Sequence, residues 1–168
     1  MKIRKAVWSD LDPIMEIYQQ ARQLMVAQGN PSQWGEDYPP RALIEADIEV
    51  GQSYVCVEGD RLVGVFALIP GPDPTYERIE GAFRSQESHG VIHRLASDGR
   101  TRGVARACFT ACGELYSYLR IDTHRDNRAM RGALEKYGFV ECGLIWVEDG
   151  SERLAFDFLP FVNHFSKN

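Results

Sequence analysis

Two turn sequences limit what this chain can fold into more than any other feature. Gly59-Asp60 lies between residues 53–58 and 62–69, and Glu148-Asp149-Gly150-Ser151 lies between residues 139–147 and 153–159. The flanking runs are rich in β-branched and aromatic residues, and turns of this composition between such runs close antiparallel hairpins. Any sheet that contains both hairpins is at least partly antiparallel. Between them the chain alternates strand-like and helix-like segments, which points to one α/β domain.

The helical segments are read from spacing. Ser9-Asp10-Leu11-Asp12 fits a serine cap with a carboxylate three residues on, Pro13 falls in the first turn, and Ile14, Ile17, Tyr18, Ala21, Leu24 and Met25 follow on one face. Gly29-Asn30-Pro31 ends this helix. Residues 42–50 read as a second helix and residues 103–118 as a third, with Val104, Ala107, Cys108, Ala111, Cys112 and Leu115 recurring at helical spacing. A fourth, capped by Asp126 or Asn127, runs to Tyr137 and ends at Gly138. Residues 2–7, 91–96 and 119–124 are strand-like, and Pro70-Gly71-Pro72-Asp73-Pro74 breaks the sheet. Residues 75–89 are polar and poorly periodic, with a short strand near residues 79–83.

A chain of 168 residues is long enough to bury about two-thirds of its unfolded surface in one core. It carries 19 basic and 24 acidic residues, a net charge of −5, which disfavours a general nucleic-acid binder. No apolar run approaches the roughly 20 residues of a membrane span, and the basic start leads to Trp8-Ser9-Asp10 rather than to a signal-peptide core. The chain therefore reads as cytoplasmic. Cys56, Cys108, Cys112 and Cys142 form no short metal-binding pair, so no metal site is expected and the cysteines read as small buried hydrophobes.

The charge is unevenly placed. Between Arg94 and Arg131 eight arginines face four acids, a local balance of +4 that leaves −9 for the rest of the chain. Inside this window Asp98-Gly99-Arg100-Thr101-Arg102-Gly103 joins a strand to a helix. A glycine-bearing loop that opens a helix offers backbone N–H groups and the positive end of the helix dipole to a phosphate.

Arg100-Thr101-Arg102-Gly103-Val104-Ala105 resembles the coenzyme A signature of the GNAT acetyltransferase superfamily, a Q/R-x-x-G-x-G/A pattern set between a strand and a helix. The first strand and helix, the hairpin, the signature loop and an Asn...Gly-Phe block at Asn127 to Phe139 occur in family order over nearly the whole chain. The resemblance implies a single GNAT-like domain over residues 1–168, of the α+β type of α/β protein. Its sheet would be mixed, mostly antiparallel and twisted, with six to seven strands flanked by about four helices. It also implies acetyl-coenzyme A as co-substrate, a small-molecule or peptide amine as acceptor, and a homodimer.

The same resemblance assigns residues. The N–H groups of Arg102, Gly103, Val104, Ala105 and Arg106 would cradle the pyrophosphate, with Arg100 and Thr101 completing the loop. Leu95, Ala96 and Ser97 would pair with the pantetheine arm as an added strand, and Asn127 would face the coenzyme. One departure stands out: the tyrosine that commonly protonates the departing thiolate falls at Leu134, and Tyr137 is displaced from it by about one turn. That substitution keeps a second reading open, a non-catalytic module that binds or senses coenzyme A or an acyl-coenzyme A.

Proton transfer matters here because a lysine-like amine, with a pKa about 10.4, must be presented uncharged at a cost of about 4.6 kcal/mol near neutrality. His93 and His124, in or at the ends of neighbouring strands, are the imidazole candidates, with Tyr137 the remaining hydroxyl. A backbone N–H near Leu95 would receive the oxyanion at no reorganisation cost if the strand is rigid. Asp122 shares a strand face with His124 and either orients a group in the cleft or pairs with Arg120. Trp34 and Tyr38, on the loop after the first helix, are the acceptor-binding candidates through stacking or cation–π contact. A protein N-terminus as acceptor would need an extended peptide groove beside that loop. His89, His164, Trp8 and Trp146 are read as structural.

Overall fold

The computed structural model describes residues 1–160, so His164 and the end of the expected domain lie outside the described residues. The chain runs β1 (Lys2–Lys5), α1 (Leu11–Ala27), α2 (Arg41–Glu49), β2 (Ser53–Glu58), β3 (Arg61–Pro70), β4 (Glu80–Gly81), β5 (Gly90–Ser97), α3 (Val104–Leu115), β6 (Leu119–Thr123), α4 (Arg128–Tyr137), β7 (Val140–Trp146) and β8 (Glu152–Phe158). The strands form one sheet in the order β1-β2-β3-β5-β6-β8-β7-β4. The eighth strand is the two-residue β4, which pairs with β7 at the sheet edge and brings the total just above the six to seven expected.

Both hairpins form where their turns require, β2 with β3 and β7 with β8. The one parallel pair among the described residues, β5 with β6, needs a crossover, and α3 provides it. The helices divide between the two faces. On one, α3 and α4 bury Cys108, Phe109, Cys112 and Leu134 against Phe66, Ile92, Ile121 and Phe156. On the other, α1 and α2 bury Ile14, Ile17, Tyr18, Ile44 and Ile48 against Val55, Val65 and Ala96. The segment between β3 and β5 lays Tyr76 and Phe83 over Val91, Ile145 and Ala155.

The first helix starts differently from the expected serine cap. A short 3-10 turn, Trp8–Asp10, precedes it, and the side chain that accepts a backbone N–H is that of Asp10, from Val7 at 2.8 Å. The same carboxylate takes two hydrogen bonds from Arg4, at 2.7 and 2.9 Å, which hold it below the ordinary carboxylate range against the opposing effect of burial. The last helix is capped as its sequence requires, by Asn127 Oδ1 accepting from the Met130 N–H at 3.0 Å, and it ends on left-handed Gly138.

Two irregularities shape the centre of the sheet. β5 pairs with β6 only at Gly90, Val91 and Ile92, after which the two strands separate. Beyond Ile92 the β6-facing edge of β5 is open. On its other side β5 carries a bulge: Val65 opposes Ala96 and Ala67 opposes His93, so Arg94 and Leu95 together face Phe66. Arg94 is the only non-glycine described residue at positive φ, 54°, a conformation that costs on the order of 1–3 kcal/mol unless its surroundings enforce it.

Candidate active site

The enforcement is visible. The guanidinium of Arg94 makes three hydrogen bonds of 2.7–3.1 Å to both carboxylate oxygens of Asp47, and the two side chains are each 7% exposed. The Tyr18 hydroxyl donates to the Arg94 carbonyl at 2.8 Å. Residues of α1 and α2 thus clamp the bulge from behind. In front of it the separation of β5 from β6 opens two connected spaces.

The narrower space, about 170 Å³, runs along the open edge of β5 between α1, α3 and α4 and is lined by Leu95, Ala96, Ser97, Val104, Ala105 and Asn127 among others. Its walls are mostly small apolar side chains. The wider one, about 540 Å³, continues from it past Met25, Leu95, Asn127 and Met130 and is lined by Trp34, Tyr38, Asp73, His93, Asp122 and Arg153 among others. A third hollow, about 580 Å³, lies between α3 and β1–β3 around Tyr54, Phe66 and Leu115. It contains none of the candidate histidines and touches the signature loop only at Gly103 and Arg106.

The signature loop divides its donors. Asp98 accepts from the N–H groups of Arg100 and Thr101, at 3.0 and 2.8 Å, and from the Thr101 hydroxyl at 2.9 Å. The backbone donors of Arg100 and Thr101 are therefore occupied within the loop itself. The N–H groups of Arg102, Gly103, Val104, Ala105 and Arg106 precede the point where intrahelical bonding begins, the first being Ala107 to the Gly103 carbonyl at 2.9 Å. Gly103 takes φ +83°, and a Cβ built there meets nothing within 4 Å. Glycine is needed there for the backbone turn rather than for room within the protein itself.

The arginines of the basic window also separate by role. Arg94 belongs to the clamp. Arg120 is buried, with its guanidinium 3.9 Å from the Phe83 ring centroid and bonded to the Ser85 carbonyl at 2.8 Å, so it does not pair with Asp122. Arg125 meets Glu152 at 2.7 Å. Arg100, Arg102 and Arg106 remain around the start of α3.

His93 lines the wide cleft. Its Nε2 lies 2.7 Å from Oδ2 of Asp73, in the proline-rich connection after β3. Oδ1 of Asp73 in turn accepts from the Thr75 N–H at 2.9 Å and the Thr75 hydroxyl at 2.6 Å. Burial alone would raise the Asp73 pKa, but the bonds from His93 and Thr75 outweigh it and bring it down to about 2. Nε2 faces this carboxylate and donates to it, so in the neutral ring the acceptor nitrogen is Nδ1. Beside this pair the Tyr76 hydroxyl donates to Asp122 at 2.7 Å, and burial raises the Asp122 carboxyl above its ordinary range.

The other two proton-transfer candidates are not in the cleft. His124 uses Nδ1 to accept the Asp126 N–H at 3.1 Å, and its pKa is lowered by burial and then by the Arg153 cation. It lies one residue past the end of β6 and stabilises the turn into α4. Tyr137 packs its ring on Phe109 and Phe158, each at 5.2 Å between centroids, with its hydroxyl 3.3 Å from that of Thr110. Leu134, at the family tyrosine position, is fully buried in the α3–α4 core. Tyr137→Phe is accordingly expected to leave the turnover number within about twofold of the parent; a loss beyond tenfold would return the hydroxyl to the chemistry.

Asn127 has both ends of its side chain occupied: Oδ1 caps α4, and Nδ2 donates to Gln33 Oε1 at 3.0 Å. Sequence reasoning missed Gln33, Asp73 and Arg153. The Asp73-Pro74-Thr75 turn was the one available signal, and it marked a turn rather than a partner for His93.

No protein-family model matches the chain, and none of the curated proteins compared with it does. Solved structures do. A GNAT-family acetyltransferase from Streptococcus agalactiae is 30% identical, with a TM-score of 0.86 and 95% of each chain covered. A putative acetyltransferase from Staphylococcus aureus is 24% identical, with a TM-score of 0.71 over 95% of this chain and 99% of that one. A putative acetyltransferase from Salmonella typhimurium, solved with its cofactor acetyl-CoA, shares the fold at 15% identity, with a TM-score of 0.64 over 97% of this chain and 95% of that one.

Proposed function

Because this chain belongs to the GNAT acetyltransferase family, we propose that it is an N-acetyltransferase that moves an acetyl group from acetyl-coenzyme A to a primary amine by direct attack in a ternary complex. The observation that carries this reading is the continuity of three features: the N–H groups at the start of α3, the open edge of β5, and the cleft that holds His93. The pyrophosphate fits the first, the amide-rich pantetheine arm the second, and the thioester then reaches the mouth of the third. A site of this kind suits backbone-to-backbone recognition of an extended ligand.

The chemistry follows from the residues. The neutral amine nitrogen attacks the thioester carbonyl carbon, a C–N bond forms, and the oxygen becomes an oxyanion beside the bulge, where Leu95 is out of register with β3. Nδ1 of His93 accepts the proton that the amine loses, with Asp73 fixing the ring and its tautomer. Collapse of the intermediate breaks the C–S bond, and the thiolate leaves and takes a proton from solvent or from the imidazolium. No metal enters this scheme.

The test is release of free coenzyme A thiol with a panel of primary amines, together with detection of the acetylated product by mass. Saturable thiol release that depends on the amine supports the reading. Binding without turnover on every amine would favour the sensing module that Leu134 leaves open. Gly103→Glu is expected to raise the KM for acetyl-coenzyme A about 100-fold or more, since a carboxylate beside a pyrophosphate costs several kcal/mol. Gly103→Ala controls for the strain at φ +83° and is expected to cost less than tenfold.

A further inference from the structure

Resting on that reading, we infer that the acceptor is a compact small molecule with a second positive charge beyond the reacting amine, rather than a polypeptide terminus. Two independent features of the wide cleft carry this, one steric and one electrostatic.

The steric feature is residues 31–40. Gln33 is fastened to the β6–β8 side of the splay: its carbonyl accepts from Arg153 at 2.9 Å and its Oε1 from Asn127 at 3.0 Å. The same segment is fastened to α1 on the opposite side, where Trp34 meets the Tyr18 ring edge-on at 5.6 Å and the Tyr38 carbonyl accepts from Arg22 at 3.2 Å. The segment therefore bridges the two arms over the cleft. An extended peptide would have to pass through that bridge, whereas a small molecule needs only the space of about 540 Å³ beneath it.

The electrostatic feature is an unequal distribution of charge. Asp73, Asp122, Glu148 and Asp149 line the cleft. Of the arginines that share it, Arg94 is neutralised by Asp47, while Arg153 is held by the Ser151 hydroxyl and the carbonyls of Glu152 and Gln33 and keeps its charge, so the four carboxylates outnumber the one uncompensated guanidinium. Asp73 is paired with His93 and Asp122 with Tyr76 at the base. Glu148 and Asp149 are exposed on the β7–β8 turn at the rim and form no ion pair among the described residues, although Asp149 accepts from the N–H and hydroxyl of Ser151 and feels the nearby Arg153 cation. Trp34 and exposed Tyr38 add ring faces of the kind that attract an ammonium group. An acceptor with one amine at the thioester and a second ammonium at the rim satisfies both ends.

The test compares kcat/KM for 1,4-diaminobutane, its isostere n-pentylamine and a short peptide with a free alanine N-terminus, by thiol release at fixed pH and low salt. The diamine is expected to exceed n-pentylamine about five- to tenfold, and the peptide to be the poorest of the three. The ratio of diamine to n-pentylamine should narrow to about twofold in the Glu148→Gln/Asp149→Asn double variant, and should fall with added salt because rim charges are screened. A ratio of one or less, a ratio indifferent to the double variant, or a peptide that outranks both amines overturns the inference while leaving acetyl transfer intact. No thiol release with any amine overturns the acetyltransferase reading, and this inference with it.

Discussion

His93→Ala is expected to lower the turnover number about 10²- to 10³-fold, within the range usual for removing a positioned general base. The KM for acetyl-coenzyme A should stay within about threefold, because the groove proposed for the coenzyme is lined by Leu95, Ala96, Ser97 and the start of α3 rather than by this ring. Asp73→Asn should also lower the turnover number, by at least about tenfold, since the amide no longer offers a charge to the imidazolium that forms and its NH₂ can turn toward Nε2 and favour the other ring tautomer. Added imidazole should restore part of the rate in His93→Ala and none in Asp73→Asn. A His93→Ala enzyme that keeps more than a third of its turnover would remove His93 from the chemistry and leave a water relay as proton acceptor.

The second large effect concerns the clamp behind the bulge. Asp47→Ala leaves the Arg94 guanidinium buried without its partner, and breaking a buried pair in this way costs about 3–5 kcal/mol. The free energy of unfolding in urea should fall by that amount. Arg94→Ala should be similarly harmful, while Asp47→Ala/Arg94→Ala should be less destabilising than the sum of the two, since neither charge is then stranded. The clamp also bears on the proposed function. It keeps Arg94 at φ 54° and so keeps Leu95 out of register with β3, at the junction of the two ligand spaces. Affinity for acetyl-coenzyme A should therefore weaken in either single variant even at temperatures where the protein is folded. Strict additivity in the double variant would contradict a direct Asp47–Arg94 interaction.

Local signals carried the architecture. The two hairpin turns, the Asn127 cap and the glycines at 103 and 138 each dictate backbone geometry within a few residues, so strands, helices and the signature loop were readable from neighbours in the sequence. Burial within α3 was equally legible, because Cys108 and Cys112 fall on the periodic apolar face that meets the sheet. The site was legible only in part. Asp47 meets Arg94 across 47 positions and Gln33 meets Asn127 across 94, pairings that no spacing rule supplies. Asp73 lay in a segment read only as a sheet breaker, although its side chain holds His93. Tyr137 and His124 show the converse: residue type and neighbourhood suited them to proton transfer, but local packing directs one ring onto Phe109 and Phe158 and the other onto a turn N–H.

We propose that one continuous surface, from the start of α3 along β5 to His93, binds acetyl-coenzyme A. Calorimetric titration of the purified protein with acetyl-coenzyme A tests it most directly, with dephospho and adenine-only analogues alongside. Saturable one-site binding is expected, lost with the adenine-only analogue and in Gly103→Glu. No saturable heat at any accessible concentration, or equal binding of the analogue without a pyrophosphate arm, would contradict it.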